Sequence, residues 1–161
     1  MMKSIVTLSL LVLPLLVAPM ASASPFAASN GNAKGNFSES RTITNRTISD
    51  NTMLVTTTVT TTFSGGMVGM AVFSESETVY LNGSTTFKAS GTFVGRVLGS
   101  APGAYHETYS GTGMGATFQG QGEDRDGRGG LAGFLGFESF HGTYTSKTTA
   151  TGSYSLMAHF S

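Results

Sequence analysis

The stretch "TMLVTTTVTTTF", residues 52 to 63, constrains the fold more than any other part of the chain. Met53, Val55, Thr57, Val59, Thr61 and Phe63 fall on one side of an extended strand. Leu54, Thr56, Thr58, Thr60 and Thr62 fall on the other. One side is largely apolar and the other hydroxylated, the pattern of a sheet with one dry and one wet face. Threonine runs also occur in glycosylated stalks, but the alternation and the absence of proline favour a strand.

Similar segments recur along the chain, and none keeps a helical period over three turns. "GMAVFSESETVYL" runs into Asn82-Gly83, a strong hairpin signal. In the return segment Phe87, Ala89, Gly91, Phe93, Gly95 and Val97 share a side. "GAYHETYSGTG" with "GATFQGQG" makes a further pair. "FESFHGTY" with "TATGSYSLMAHF" makes the last, aligning Tyr154, Leu156, Ala158 and Phe160. About eight strands joined by short turns form a meander. Strands of this number and length close into an antiparallel β-barrel, which removes exposed edges. A two-sheet sandwich is the competing arrangement. Phe87, Phe93, Leu156 and Phe160 are expected in the core.

The N-terminal segment carries Lys3, the apolar run "IVTLSLLVLPLLVAPM" and then "ASA". This order matches a secretory signal peptide over residues 1–23, cleaved before Ser24. A membrane anchor is the alternative, but the run is short for a span and contains Pro14 and Pro19. Residues 24–34 are small and polar and read as a flexible leader, leaving 35–161 as the barrel domain. Without Lys3 the chain has eight basic and nine acidic side chains, a formal charge of −1. That gives no electrostatic case for nucleic acid or anionic membrane as a partner. The chain has no cysteine, so an exported domain of this size relies on its sheet rather than on disulfides. The expected location is secreted: extracellular, cell-surface or periplasmic.

The segments "GSTTFKASGTFVGRVLGSAPGAYHETYSGTG", "GRGGLAGFLGFESFHG" and "TATGSYSLMAHF" together resemble domain-of-unknown-function family 3224. Asn82, Gly83 and Ser84 match that family's hairpin turn, and Gly91, Phe93 and Gly95 its glycine–aromatic rhythm. Gly130, Leu131, Gly133, Gly136 and Phe140 occupy its late segment, shifted by a residue. The resemblance covers roughly residues 35 to 160. It implies a barrel like those of allene oxide cyclase and dirigent-like proteins, and no activity travels with it.

Motifs for chemistry are scarce. The glycines of "GRGGLAGFLGFESF" are not followed by the lysine of a phosphate loop. "GQGEDRDG" lacks two obligatory carboxylates of an EF-hand, although Glu123, Asp124 and Asp126 leave room for a weak surface calcium. The preferred reading of that stretch is a solvated turn leading into a glycine-rich corner. His106, His141 and His159 have no zinc-ligand spacing, so neither a metal nor a cofactor is expected. His106 and Glu107 point to opposite faces, while Tyr105, Glu107 and Tyr109 share one and suit the polar end of a pocket.

Glu75 and Glu77 share a face with Phe73 and Val79. Facing inward, they would repel and desolvate each other, raising at least one pKa as a general acid requires. Charged residues usually face water, so the preferred arrangement puts both outside with Val72 and Tyr80 inside. Sequons stand at Asn36, Asn45 and Asn82. Three functions remain open: a binding module for a small apolar molecule, a cyclase-like enzyme working by shape, and a structural barrel with a filled interior. Binding ranks first, with Glu75, Glu77, Phe93, Tyr105, Glu107 and Tyr109 as candidate ligand-binding residues.

Overall fold

A computed structural model describes residues 29–161. The expected signal peptide and residues 24–28 of the expected leader lie outside them. Eight strands follow in order: β1 (Gly31–Ser49), β2 (Thr52–Gly65), β3 (Met67–Tyr80), β4 (Ser84–Val97), β5 (Gly103–Met114), β6 (Thr117–Gly129), β7 (Phe134–Tyr144) and β8 (Thr149–Phe160). Each pairs antiparallel with the next. β1 also pairs with β8, from Gly31↔Ala158 to Ser40↔Thr149, which closes the barrel. The closed meander replaces the sandwich alternative. β1 begins at Gly31 and Ala33 is buried, so the barrel starts inside the stretch expected to be leader.

Inward residues are the ones the alternation selects. On β2, Val55, Thr57, Val59, Thr61 and Phe63 are buried, and Thr58 and Thr62 face out. The Asn82-Gly83 turn forms as expected: Gly83 adopts φ +80° and its N–H donates to the Tyr80 carbonyl. The stretch expected as a solvated turn does not form one. Residues 121–128 continue β6, with a bulge opposite Ala104–His106, and the chain turns only at Gly130–Gly133. Asp126, at φ +59°, takes up the bulge, and Asp124 points into the barrel.

Glycine and aromatic residues meet across strands. Phe37 is the direct partner of Gly152, Phe73 of Gly91, Phe87 of Gly111, Phe118 of Gly142, and Phe140 of Gly120. A Cβ at Gly111 or Gly142 would collide with the facing ring. Each ring therefore lies flat along the inner wall over its neighbour's bare backbone, which lets a narrow barrel hold so many large side chains. Below them Phe93 stacks on Tyr105, centroids 4.7 Å apart, and Tyr105 contacts Phe134. Met67, Val97, Leu131 and Leu156 complete a lower end without measurable exposure.

At the upper end β1 outruns its pairing with β8. The β1–β2 hairpin projects past the rim, with Thr42–Ser49 exposed throughout.

Candidate functional site

The barrel interior carries two levels of charge above the aromatic floor. The upper level is at the rim. Arg41 of β1 is buried between Glu39, whose Oε2 accepts from Nη1 at 3.1 Å, and Glu75, whose Oε1 accepts from Nη2. The Tyr109 hydroxyl donates to the other Glu75 oxygen at 2.8 Å. The guanidinium also lies over the Tyr144 ring, 5.2 Å from its centroid. Burial alone would lower the Arg41 pKa, but Glu75, Tyr144 and Glu39 hold it above the ordinary value. Glu39 is raised, chiefly by burial and then by Glu75, with Arg41 opposing. Glu77, half-buried beside them, is raised by burial and by the Glu75 charge.

These positions correct the preferred outward placement of the carboxylate pair. Glu75 is 2 % exposed and Glu77 half-buried, while Val72 and Tyr80 are exposed on the outer wall. The rule that charges face water fails because β1 supplies an inward Arg41 as the counter-charge.

The lower level contains acids without a cation. Glu107 of β5 and Asp124 of β6 are direct cross-strand partners, and Glu138 lies on β7 opposite Gly122. All three are at most 5 % exposed. Glu107 leans over Gly122 and Asp124 over Gly136, so the carboxyl groups occupy space left by missing side chains. Oε2 of Glu107, both oxygens of Asp124 and Oε2 of Glu138 have no hydrogen-bond partner. Burial first, then the neighbouring acids, drive Glu107 and Glu138 well above the carboxylate range. Burial pushes Asp124 up to about 7.

The six residues proposed from sequence therefore divide among three levels. Glu75, Glu77 and Tyr109 sit at the rim cluster, Glu107 joins the lower acids, and Phe93 and Tyr105 stack in the floor. All face inward, but they do not form one pocket. Glu39, Arg41, Glu138 and Tyr144 were missed, and Asp124 was read only as a surface acid. Strand parity carried a signal for Glu138, which shares a face with Phe134 and Phe140; Glu39 and Arg41 share one with Phe37, but on a strand too polar on both faces to mark its inward side. Glu123 and Asp124 point to opposite sides of the wall and do not converge on one ion. Among the described residues no group of three or more His, Cys, Asp or Glu is arranged to hold a metal. His106 and His141 lie outside, within 3.1 Å of Ser90 and 3.0 Å of Ser153.

The interior is filled. Between Glu39, Thr61, Glu107, Glu138 and the surrounding rings lies a void of about 20 Å³, the size of one water molecule. Larger hollows, of about 890 and 990 Å³, are grooves on the outer wall.

The fold and interior define a small closed antiparallel barrel packed with aromatic residues and buried acids. Among solved structures, a protein of unknown function from the DUF3224 family of Shewanella oneidensis MR-1 is similar, with a TM-score of 0.65 and 17% identity. The match covers 83% of this chain and 100% of that one. This is the family that the glycine–aromatic segments resemble, and at this identity the likeness establishes a shared fold. It says nothing of allene oxide cyclases. No family model and no curated protein matches the sequence.

Proposed function

We propose that this protein is an exported scaffold that works through its outer wall, its interior serving to hold the barrel's shape. The observation that carries this reading is the filled interior. A small-molecule pocket needs roughly 300 Å³ or more, against a void of about 20 Å³ here. The reading that ranked first from sequence, an apolar guest among aromatic side chains, thus lacks room. A cyclase-like enzyme would need a chamber for its substrate and meets the same objection.

The outer wall supports recognition of a polar, hydrogen-bonding partner. Two cross-strand rows line its groove, Ser74–Ser90–Thr108–Glu123–Phe137 and Ser76–Lys88–Ser110–Gln121–Ser139. Small hydroxyl side chains form most of the lining, with Lys88, Glu123 and exposed Phe137 among them. Outward threonines continue along β2 at 56, 58, 60 and 62. Beside these hydroxyl rows the outer wall also exposes apolar side chains, Val68, Met70, Val72 and Val94 among them. Export rests on the N-terminal sequence pattern.

The test is titration of the folded protein with an environment-sensitive apolar dye. A filled barrel gives no saturable binding. Saturable micromolar binding near one dye per chain, weakened by Phe93→Trp, would restore the internal-ligand reading.

A further inference from the structure

We propose that the barrel is closed by protons: Glu107, Asp124 and Glu138 form a buried store that stays loaded while the strands are paired and empties when they part. The geometry carries this independently of what the outer wall binds. Three acids on adjacent strands share one dry space, and four of their oxygens lack a partner. Arg41 is already engaged by Glu39 and Glu75, and the other cationic side chains of the barrel wall, Lys88 and Arg96 among them, lie on its outer face. Ionising all three together would place like charges in an apolar interior with no counter-ion.

The groups facing this cluster do not relieve it. β1 contributes Glu39, another acid, and β3 contributes Glu75 above. β5 adds Tyr105 and Tyr109, and β8 adds Tyr154, all with pKa raised by burial and so neutral near pH 7. β2 offers only the Thr61 hydroxyl, whose oxygen is also unpartnered and borders the void. A single water there would reach Thr61, Glu107 and Glu138, and protonated carboxyls supply the remaining donors.

The sign of the linkage follows. In the unfolded chain these acids release their protons above about pH 4, whereas the closed barrel keeps them. The cluster's contribution to stability is therefore full in acid and falls as pH rises from about 4 until the folded-state groups ionise, Asp124 at about 7 and Glu107 and Glu138 well above the ordinary carboxylate range. Each retained proton raises the unfolding equilibrium about tenfold per pH unit. With two retained, the barrel loosens about a hundredfold per unit, in the neutral range where an exported protein is exposed to changing surroundings.

The measurement is proton uptake on refolding from denaturant in weakly buffered solution at pH 7, followed by denaturant midpoints from pH 5 to 8. We expect about two protons taken up per chain and midpoints that fall across that range. Glu107→Gln with Glu138→Gln should remove most of the uptake and flatten the profile, because neutral amides replace the loaded acids. Should that variant not fold, the wild-type proton count decides. No uptake, or an uptake the variant retains, overturns the proposal. So does a rise in midpoint at pH 8 on adding K⁺, Mg²⁺ or Ca²⁺ that the variant lacks, since the acids would then be ionised around a cation.

Discussion

The lower and upper halves of the same barrel solve the packing problem differently. Below, Phe93, Tyr105, Phe134, Met67 and Leu156 fill the space with rings and aliphatic chains. The polar atoms there are settled locally: the Tyr105 hydroxyl meets the Met67 sulfur at 3.4 Å, and the Tyr154 hydroxyl accepts from the Met67 N–H at 2.6 Å. Above, the same inward positions carry Glu39, Arg41, Glu75, Glu107, Asp124 and Glu138. Apolar burial is insensitive to pH, whereas buried charge is stable only with a partner or a proton. One half should therefore answer to shape and the other to solution conditions.

The sharpest way to break that contrast is at its largest effects. Phe93→Ala removes a fully buried ring from its stack with Tyr105 and its edge contact with Phe63. The cost should be about 3–5 kcal/mol. Denaturant midpoints should show nearly the same deficit at pH 5 and at pH 7.5. A deficit that changes strongly over that interval would mean that the floor is coupled to the acids above it.

Arg41→Met tests the other half. Methionine keeps much of the volume but leaves Glu39 and Glu75 facing each other without their cation. Glu39, already raised and held down by Arg41, should rise further, so the variant keeps its stability in acid and loses it as pH rises. Breaking one side of a buried pair costs about 3 kcal/mol or more at neutral pH, and that deficit should shrink towards pH 4. A deficit equal at both ends would assign Arg41 a packing role alone.

These two positions also show what could be read from sequence. Phe93 was legible because alternation and the Asn82-Gly83 turn fix both the register and the face of β4, and a ring on an apolar face has one sensible place. Arg41 was not legible. Its strand has polar residues on both faces, and the inward side is revealed only once β8 closes against β1 and Glu75 arrives from β3, 34 residues away in sequence. Asp124 was hidden for a different reason. "GEDRDG" looks like a solvated turn by composition, while strand pairing holds it as a bulged strand and turns one acid of the four charges inward. The glycine–aromatic rhythm was visible as a motif, but its cause, a ring lying on a bare backbone across each strand pair, needs the register.

The smallest effect sharpens the comparison from outside the barrel. Thr58 faces water on β2, opposite Thr42 of β1 and Ser74 of β3, in the hydroxyl row of the outer wall. Its neighbours Thr57 and Val59 carry the inward packing. Thr58→Ala gives up a little β-propensity and no buried contact, so it should stay within about 0.5 kcal/mol of the parent at every pH. Thr57→Ala, one residue away but 2 % exposed, provides the internal control and should cost measurably more. The face assignment rests on this order. If Thr58→Ala proved the more damaging of the two, the outer hydroxyl rows would be contributing to the fold, and the view of that wall as free for a partner would have to be withdrawn.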